Sequence, residues 1–414
     1  MAAYKLHHPG YQSQSRIIKA EGAYFLTENG KYLFDAGLGA GSQILGHCPT
    51  AITAAIQQQA AEGTLFLHNN CLIHQLCAEL EQVLPSHLNQ FVFCNSGTEA
   101  TQRALRYARA ATGKNKVAFF QGGWHGMNEW TLLDDGGRFG VSTQELPSGI
   151  PTQILEHSMM LPYNDEYAFE KIEQHKNELA AVIIEPVQGS NPQESILPFL
   201  KKLQDLCKKN GILLIFDEII TGFRLSVGGA ASQWQLQPDL VTYGKILGGG
   251  LPIGLVAFTE QVADNTFSDN SKRMLSGGTF SANPLTAATA LAVLKQLRQS
   301  DYNFINSLGL QLKQKTNPQL NLLGIPCVVS GTDSFLRLYF TDQQVNSRRH
   351  RDLIELNNNF QQQFRSEMFA LNVLWPTNGI IFTGFCHTAE MIDSLSSNII
   401  NALQTCWKNV DART

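Results

Sequence analysis

Between about residue 50 and residue 280 the chain repeats one pattern. A short β-branched apolar run, bounded by Gly, Pro, Asn or Asp, is followed by a longer stretch with apolar residues at helical spacing. Alternation of this kind builds parallel strands joined by crossover helices, so it predicts an α/β core. Strands are expected over Phe91–Cys94, Lys116–Phe120, Ala180–Glu185, Ile212–Asp217, Leu240–Tyr243 and Gly254–Phe258, and helices starting near Thr50, Gly97, Tyr167, Leu197 and Pro284. Ahead of this block, Gly22 to Asp35 reads as a hairpin turning at Asn29-Gly30. After it, two long helical stretches flank candidate strands over Ser334–Phe340 and Ile380–Gly384, so the two ends of the chain are expected to form a second, α+β lobe together. The expected division is 1–50 and 284–414 in the small domain and 51–283 in the large one.

With 414 residues, 43% of them hydrophobic and 16% charged, the chain can bury a large core. A net charge of -4 offers no electrostatic footprint for nucleic acid or an anionic membrane, so a small-molecule ligand is expected. Met1 to Gly10 lacks the charged-then-apolar pattern of a signal peptide and no apolar run nears the length of a membrane span, which points to the cytoplasm. The 8 cysteines show no CxxC pair and no zinc spacing with histidines, so reduced buried thiols are expected and no metal site.

Ligands of open α/β sheets sit at the carboxyl ends of strands, and four polar places stand there. Asn95-Ser96-Gly97-Thr98-Glu99 follows the first strand and opens a helix; its backbone N–H groups and hydroxyls suit a phosphate, while Ser96 and Glu99 equally fit a capping box. Asp217 ends the most apolar strand and would need a cation such as a protonated pyridine nitrogen, or would cap the next turn. Lys245 stands between an apolar strand and Gly248-Gly249-Gly250 with no acidic neighbour in sequence, which suits a Schiff-base amine and equally a surface-loop lysine. Trp124 and His125 follow another strand, where the indole could stack on a flat heterocycle or simply pack in the core. Along the chain they run as phosphate cradle, stacking aromatic, carboxylate and lysine, which is what is needed to hold pyridoxal 5′-phosphate, PLP.

The motifs NSGTEA (Asn95–Ala100), IIEPVQG (Ile183–Gly189), DEIITGFR (Asp217–Arg224), GKILGGGLP (Gly244–Pro252) and GTFSANPL (Gly278–Leu285) make the chain similar to the class III, fold type I aminotransferases. Within them it most resembles the glutamate-1-semialdehyde 2,1-aminomutases, over nearly the whole chain. The resemblance implies a mostly parallel seven-stranded sheet in the large domain, PLP bound through Lys245, and Asp217 on the pyridine nitrogen. It implies Ser96, Gly97 and Thr98 at the phosphate, Trp124 as the stacking aromatic with His125 behind it, Gln188 near the phenolic oxygen, Ile219 beneath the ring and Glu185 in support. Thr279 resembles the residue that reaches the phosphate from a neighbouring subunit, which implies a homodimer with the site at the interface.

For the substrate carboxylate, Arg16 matches an N-terminal arginine used by such enzymes, and Arg337 is a charge inside an apolar strand that needs a partner or points outward. Two departures from the aminomutase pattern stand out. Gly39-Ala40-Gly41-Ser42 replaces an aromatic Ser-Trp-Gly-Pro segment, and Pro376 to Ile380 lacks a glutamate. The expected activity is therefore a transaminase exchanging an amino group between a carboxylate-bearing amine, such as a β-amino acid, and a keto acid. The alternatives are the aminomutase reaction and, in another class, a non-catalytic binding protein of the same fold, against which Lys245 and Asp217 both speak.

Overall fold

The computed structural model describes residues 16–133, 146–193, 196–267 and 274–411; the segment Met1 to Gly10, read above for a leader, lies outside them. The N-terminal hairpin forms as expected, with one strand more. Strands β1 (Ile17–Glu21), β2 (Tyr24–Thr27) and β3 (Tyr32–Asp35) run antiparallel, and Gly30 takes the positive φ of the turn, 79°. Strand β1 is nearly all exposed, so it carries no buried-exposed alternation by which a sequence could announce it.

The large sheet contains β4 (Gln90–Cys94), β5 (Lys116–Phe120), β6 (Ser158–Leu161), β7 (Leu179–Ile184), β8 (Leu213–Asp217), β9 (Leu240–Gly244) and β10 (Gly254–Phe258). Their order is β4-β10-β9-β8-β7-β5-β6, with β10 antiparallel to both its neighbours and the remaining pairs parallel. This is the mostly parallel seven-stranded sheet expected. Strand β6 was not foreseen, because Ser-Met-Met-Leu lacks β-branched residues and lies at the sheet edge.

Both faces of this sheet are covered, as a parallel sheet requires. Successive residues of a strand point to opposite sides, and Val117, Phe119, Ala181, Ile183 and Ile215 pack with the helix Gly97–Thr112. On the other side Phe120, Val182, Ile184, Leu214 and Phe216 pack in a core with residues of the helices Cys71–Val83, Leu197–Asn210 and Pro284–Leu297. The last of these, C-terminal to the expected boundary at 284, places Ala287, Ala290, Val293, Leu294 and Leu297 in the same core as the large sheet, packed on the helices Thr50–Glu62 and Cys71–Val83.

The second lobe is built from both ends of the chain. Strands β11 (Val328–Thr332), β12 (Phe335–Tyr339) and β14 (Ile380–Phe382) form an antiparallel sheet, while β13 (Val373–Leu374) pairs in parallel with β3. Phe34 and Ala36 share one core with Leu312, Leu338, Phe364 and Ile399.

Candidate active site

Strands β8 and β9 are neighbours, so their carboxyl ends bring Asp217 and Lys245 to the same edge of the sheet. Asp217 is buried and fully engaged: its Oδ1 accepts from Ile219 N and Thr242 Oγ1, both at 3.1 Å, and its Oδ2 lies 2.7 Å from His125 Nδ1. These contacts fix the carboxylate's orientation at the end of β8. Thr242 was missed in the sequence. The signal was there: a hydroxyl inside Leu-Val-Thr-Tyr-Gly, in register with Asp217 across the two strands.

His125 is buried and its Nε2 has no hydrogen-bond partner. A Cβ on Gly123 would fall 3.1 Å from that nitrogen and 3.6 Å from Glu185 Oε2, so a larger residue at 123 would crowd both. Glu185, just past β7, accepts from Trp124 N (2.9 Å) and Gly189 N (3.1 Å). Burial raises its carboxyl above the usual range, His125 works against that rise and Asp217 adds to it. Gln188 is buried; its Nε2 donates to Gln121 O at 2.6 Å and its Oε1 is unpartnered.

At the head of the helix Gly97–Thr112 Ser96 caps the helix, as one reading of the motif expects. Its Oγ accepts from Glu99 N (3.1 Å), and Glu99 Oε2 reaches back to accept from the N–H of Asn95, the residue before the cap (3.1 Å). The cap leaves the N–H groups of Gly97 and Thr98, first-turn donors without an intrahelical partner, for an anion. Thr98 Oγ1 accepts from Met127 N at 3.1 Å. A Cβ on Gly97 would lie 3.1–3.2 Å from three carbons of Ile219, and one on Gly244 3.2 Å from Ile219 Cδ1. Ile219 therefore sits between the anion cradle and the strand end that carries Lys245.

Lys245 opens a short 3-10 turn, Lys245–Gly248, with φ 42°, a conformation few non-glycine residues adopt. The following glycines are no loose loop: a Cβ on Gly249 would lie about 3 Å from Ile52, Thr289 and Val293. The structure thus gathers Ser96, Gly97, Thr98, Trp124, His125, Glu185, Gln188, Asp217, Ile219 and Lys245 around adjoining strand ends.

The other expected residues lie elsewhere. Thr279 is exposed, in a stretch where Arg103 donates to Gly277 O and Arg106 to Leu275 O (3.1 Å). Arg16 is exposed and pairs with Glu28 at 3.5 Å. Arg337 does not point outward; it is buried on β12 and its Nη2 binds Glu355 at 2.9 and 3.0 Å, so its carboxylate partner is internal. Among the described residues no group of His, Cys, Asp and Glu could hold a metal, and no helix is long and apolar enough to cross a membrane.

An anion cradle at a helix N-terminus, a buried carboxylate backed by histidine, and a lysine at the next strand end fit PLP. Together with the sheet order they define a PLP-dependent transferase of fold type I. The model of the class-III aminotransferase family matches residues 8–322, and the chain belongs to that family, with PLP as its cofactor. It is 34% identical, over 91% of its length and 90% of the other protein, to a glutamate-1-semialdehyde 2,1-aminomutase of Sulfolobus acidocaldarius. Among solved structures it resembles an omega-transaminase from Sphaerobacter thermophilus, with 28% identity, TM-score 0.87 and coverage of 96% and 92% of the two chains. A beta-phenylalanine aminotransferase from Variovorax paradoxus is 26% identical with TM-score 0.83, covering 95% and 90%.

Proposed function

We propose that the protein is an aminomutase that shifts the amino group of glutamate-1-semialdehyde between neighbouring carbons, giving 5-amino-4-oxopentanoate. The two-substrate transaminase expected from the sequence becomes the second reading. The observation that carries this order is the identity to enzymes named as aminomutases, 34% over 91% of the chain, against 28% or less for the transaminase structures quoted above. What favours the second reading is Gly39–Ser42, without an aromatic wall, and the likeness to a beta-phenylalanine aminotransferase.

When bound, PLP supplies an electron-accepting ring that stabilises negative charge at the substrate carbon beside nitrogen. Lys245 would hold the cofactor, and its amine would carry the proton from one carbon to the other. Asp217 would face the cofactor's ring nitrogen, and His125 and Thr242 hold Asp217 in orientation. The N–H groups of Gly97 and Thr98 would take the phosphate, with Ser96 shaping the turn, and Trp124, Ile219, Gln188 and Glu185 would line the cofactor's place.

The active unit is a homodimer in this reading. Support comes from Leu275, Phe280 and Met127, which are 69%, 61% and 67% exposed around the site's own segments, and from Thr279 facing outward in the same stretch.

The test is turnover of glutamate-1-semialdehyde by PLP-loaded protein with no keto acid present, followed as 5-amino-4-oxopentanoate, with Lys245→Ala as the blank. Product without an acceptor is expected. No product, together with turnover of a β-amino acid once a keto acid is added, would replace the aminomutase by the transaminase.

A further inference from the structure

Three hydrogen bonds join the turn that carries Trp124 to the loop that follows β7. Gln188 Nε2 donates to Gln121 O (2.6 Å), Ser190 Oγ donates to Gly122 O (2.6 Å), and Trp124 N donates to Glu185 Oε2 (2.9 Å). The second lobe holds the same loop from behind. Tyr339 Oη, at the end of β12, donates to Pro192 O at 2.8 Å, and Arg351 Nη1, from the short helix Arg348–Ile354, donates to Ser190 O. The lobes also touch at the turn itself, where a Cβ on Gly122 would fall 2.8 Å from Arg348 Cβ and 3.2 Å from Gln188 Oε1.

Ser190 is therefore a junction. Its carbonyl accepts from a guanidinium of one lobe while its hydroxyl donates to the turn of the other. What stands behind Arg351 is larger than a single bond to a carbonyl requires. Arg351 Nε donates to Asp352 at 2.9 Å and lies 3.5 Å from Glu355. Glu355 in turn accepts from Arg337 Nη2 at 2.9 and 3.0 Å and from Phe340 N at 3.2 Å. The side chains of Arg337, Arg351 and Glu355 are only 4%, 7% and 5% exposed. Desolvating three charged groups offsets most of what their attraction contributes, so the gain from such a network is a fixed geometry. Clamped by two carboxylates, the planar guanidinium keeps Nη1 on the Ser190 carbonyl.

We infer that Arg351 is a positioning residue for the cofactor: through Ser190 and Gly122 it sets the place of Trp124. The internal pair Arg337–Glu355 thereby gains a part in the site, as the anchor of Arg351. The assignment rests on the reading of Trp124 as the aromatic that stacks on PLP.

The test uses full-length protein loaded with PLP. It reads the visible circular dichroism of the cofactor per unit absorbance, which reports how the ring is held against its neighbours, together with the PLP dissociation constant. Arg351→Gln and Ser190→Ala are each expected to alter the dichroism and to weaken PLP roughly 10-fold. The double variant should be no worse than the more affected single one, because both substitutions cut the same chain of contacts. Leu320→Ala opens a cavity elsewhere in the second-lobe core; it should lower the urea midpoint while dichroism and PLP affinity stay at wild-type values. Wild-type dichroism in Arg351→Gln, additive losses in the double variant, or the same change in Leu320→Ala overturns the assignment. If Arg351→Gln does not fold, Arg351→Lys takes its place in the same cycle. Trp124→Phe separates the two levels of the argument. If it leaves the dichroism unchanged, the stacking reading fails and the assignment with it, whereas a change in Trp124→Phe and none in Arg351→Gln removes Arg351 alone.

Discussion

At the scale of single residues, neighbouring carboxylates in one motif have opposite surroundings. Asp217 and Glu218 are adjacent, so they leave the end of β8 on opposite sides. Asp217 meets His125, whereas Glu218 accepts from Ala230 N (2.6 Å) and Ala231 N (2.9 Å), and burial pushes its carboxyl up to about 7. Asp217 is thus the group available to a ring cation, and Glu218 holds a turn together. Asp217→Asn keeps the shape and removes the charge. Turnover should fall by about 10²–10³, a loss typical of an electrostatic partner of the transition state, while cofactor still binds. Single-turnover rates alongside a PLP titration would check this; unchanged rates would remove Asp217 from the mechanism. Sequence alone could pick out this Asp, since it ended an apolar strand, but could not see Thr242 and His125 converging on it from two other strand ends.

At the scale of elements, the anion cradle depends on how closely β10 passes beneath it. A Cβ on Gly254, the first residue of β10, would lie 2.2 Å from Ser96 O and 2.6 Å from Cys94 Sγ. The neighbouring backbone cannot yield as a flexible side chain would. Gly254→Ala should therefore cost about 1–3 kcal/mol and displace the turn that presents Gly97 and Thr98. The expected result is a lower urea midpoint together with weaker PLP retention; loss of stability with unchanged retention would separate β10 from the cradle. Two of the strands that sequence missed share one cause. Strands β1 and β6 lie at sheet edges and are partly or wholly exposed, so they have neither a continuous apolar run nor a clean alternation. The buried strands β5, β7, β8, β9 and β10 were legible to within a residue or two because burial on both faces demands an apolar run.

At the scale of the whole molecule, Arg224 joins the lobes. It is fully buried, lies 4.5 Å over the Phe382 ring, and donates to Gly41 O (2.8 Å), Thr383 O (3.1 Å) and Ser334 Oγ (3.4 Å). No carboxylate faces it among the described residues, and burial lowers its pKa to about 9. Arg224→Met would fill similar space but strand two buried carbonyls, so a loss of about 2–4 kcal/mol is expected by urea unfolding. A contact inside the second lobe sets an acid limit. His387, stacked on Phe34, accepts from Gly384 N through Nδ1 at 3.2 Å, and burial lowers its pKa from 6.5 to about 4. The unfolded chain takes up this proton first, so the contribution of His387 is lost as pH falls from 6.5 toward 4. Comparing wild type with His387→Asn between pH 7 and 4, the wild type should lose ~3 kcal/mol relative to the variant. Parallel curves would show that His387 does not titrate in that window.

The sequence by itself determined the α/β class, the strand ends where polar residues gather, and the lysine and aspartate of the site. Each of these follows from local rules: apolar runs between breakers, and motifs contiguous in the chain. Only the tertiary structure decided what lies far apart in sequence. It turned Arg337 inward to Glu355, left Arg16 on the surface with Glu28, and packed Pro284–Leu297 into the large core. It also laid Arg348 along Gly122, a contact between residues more than two hundred positions apart. A charged side chain finds its partner by packing and desolvation in three dimensions, and a single sequence records neither.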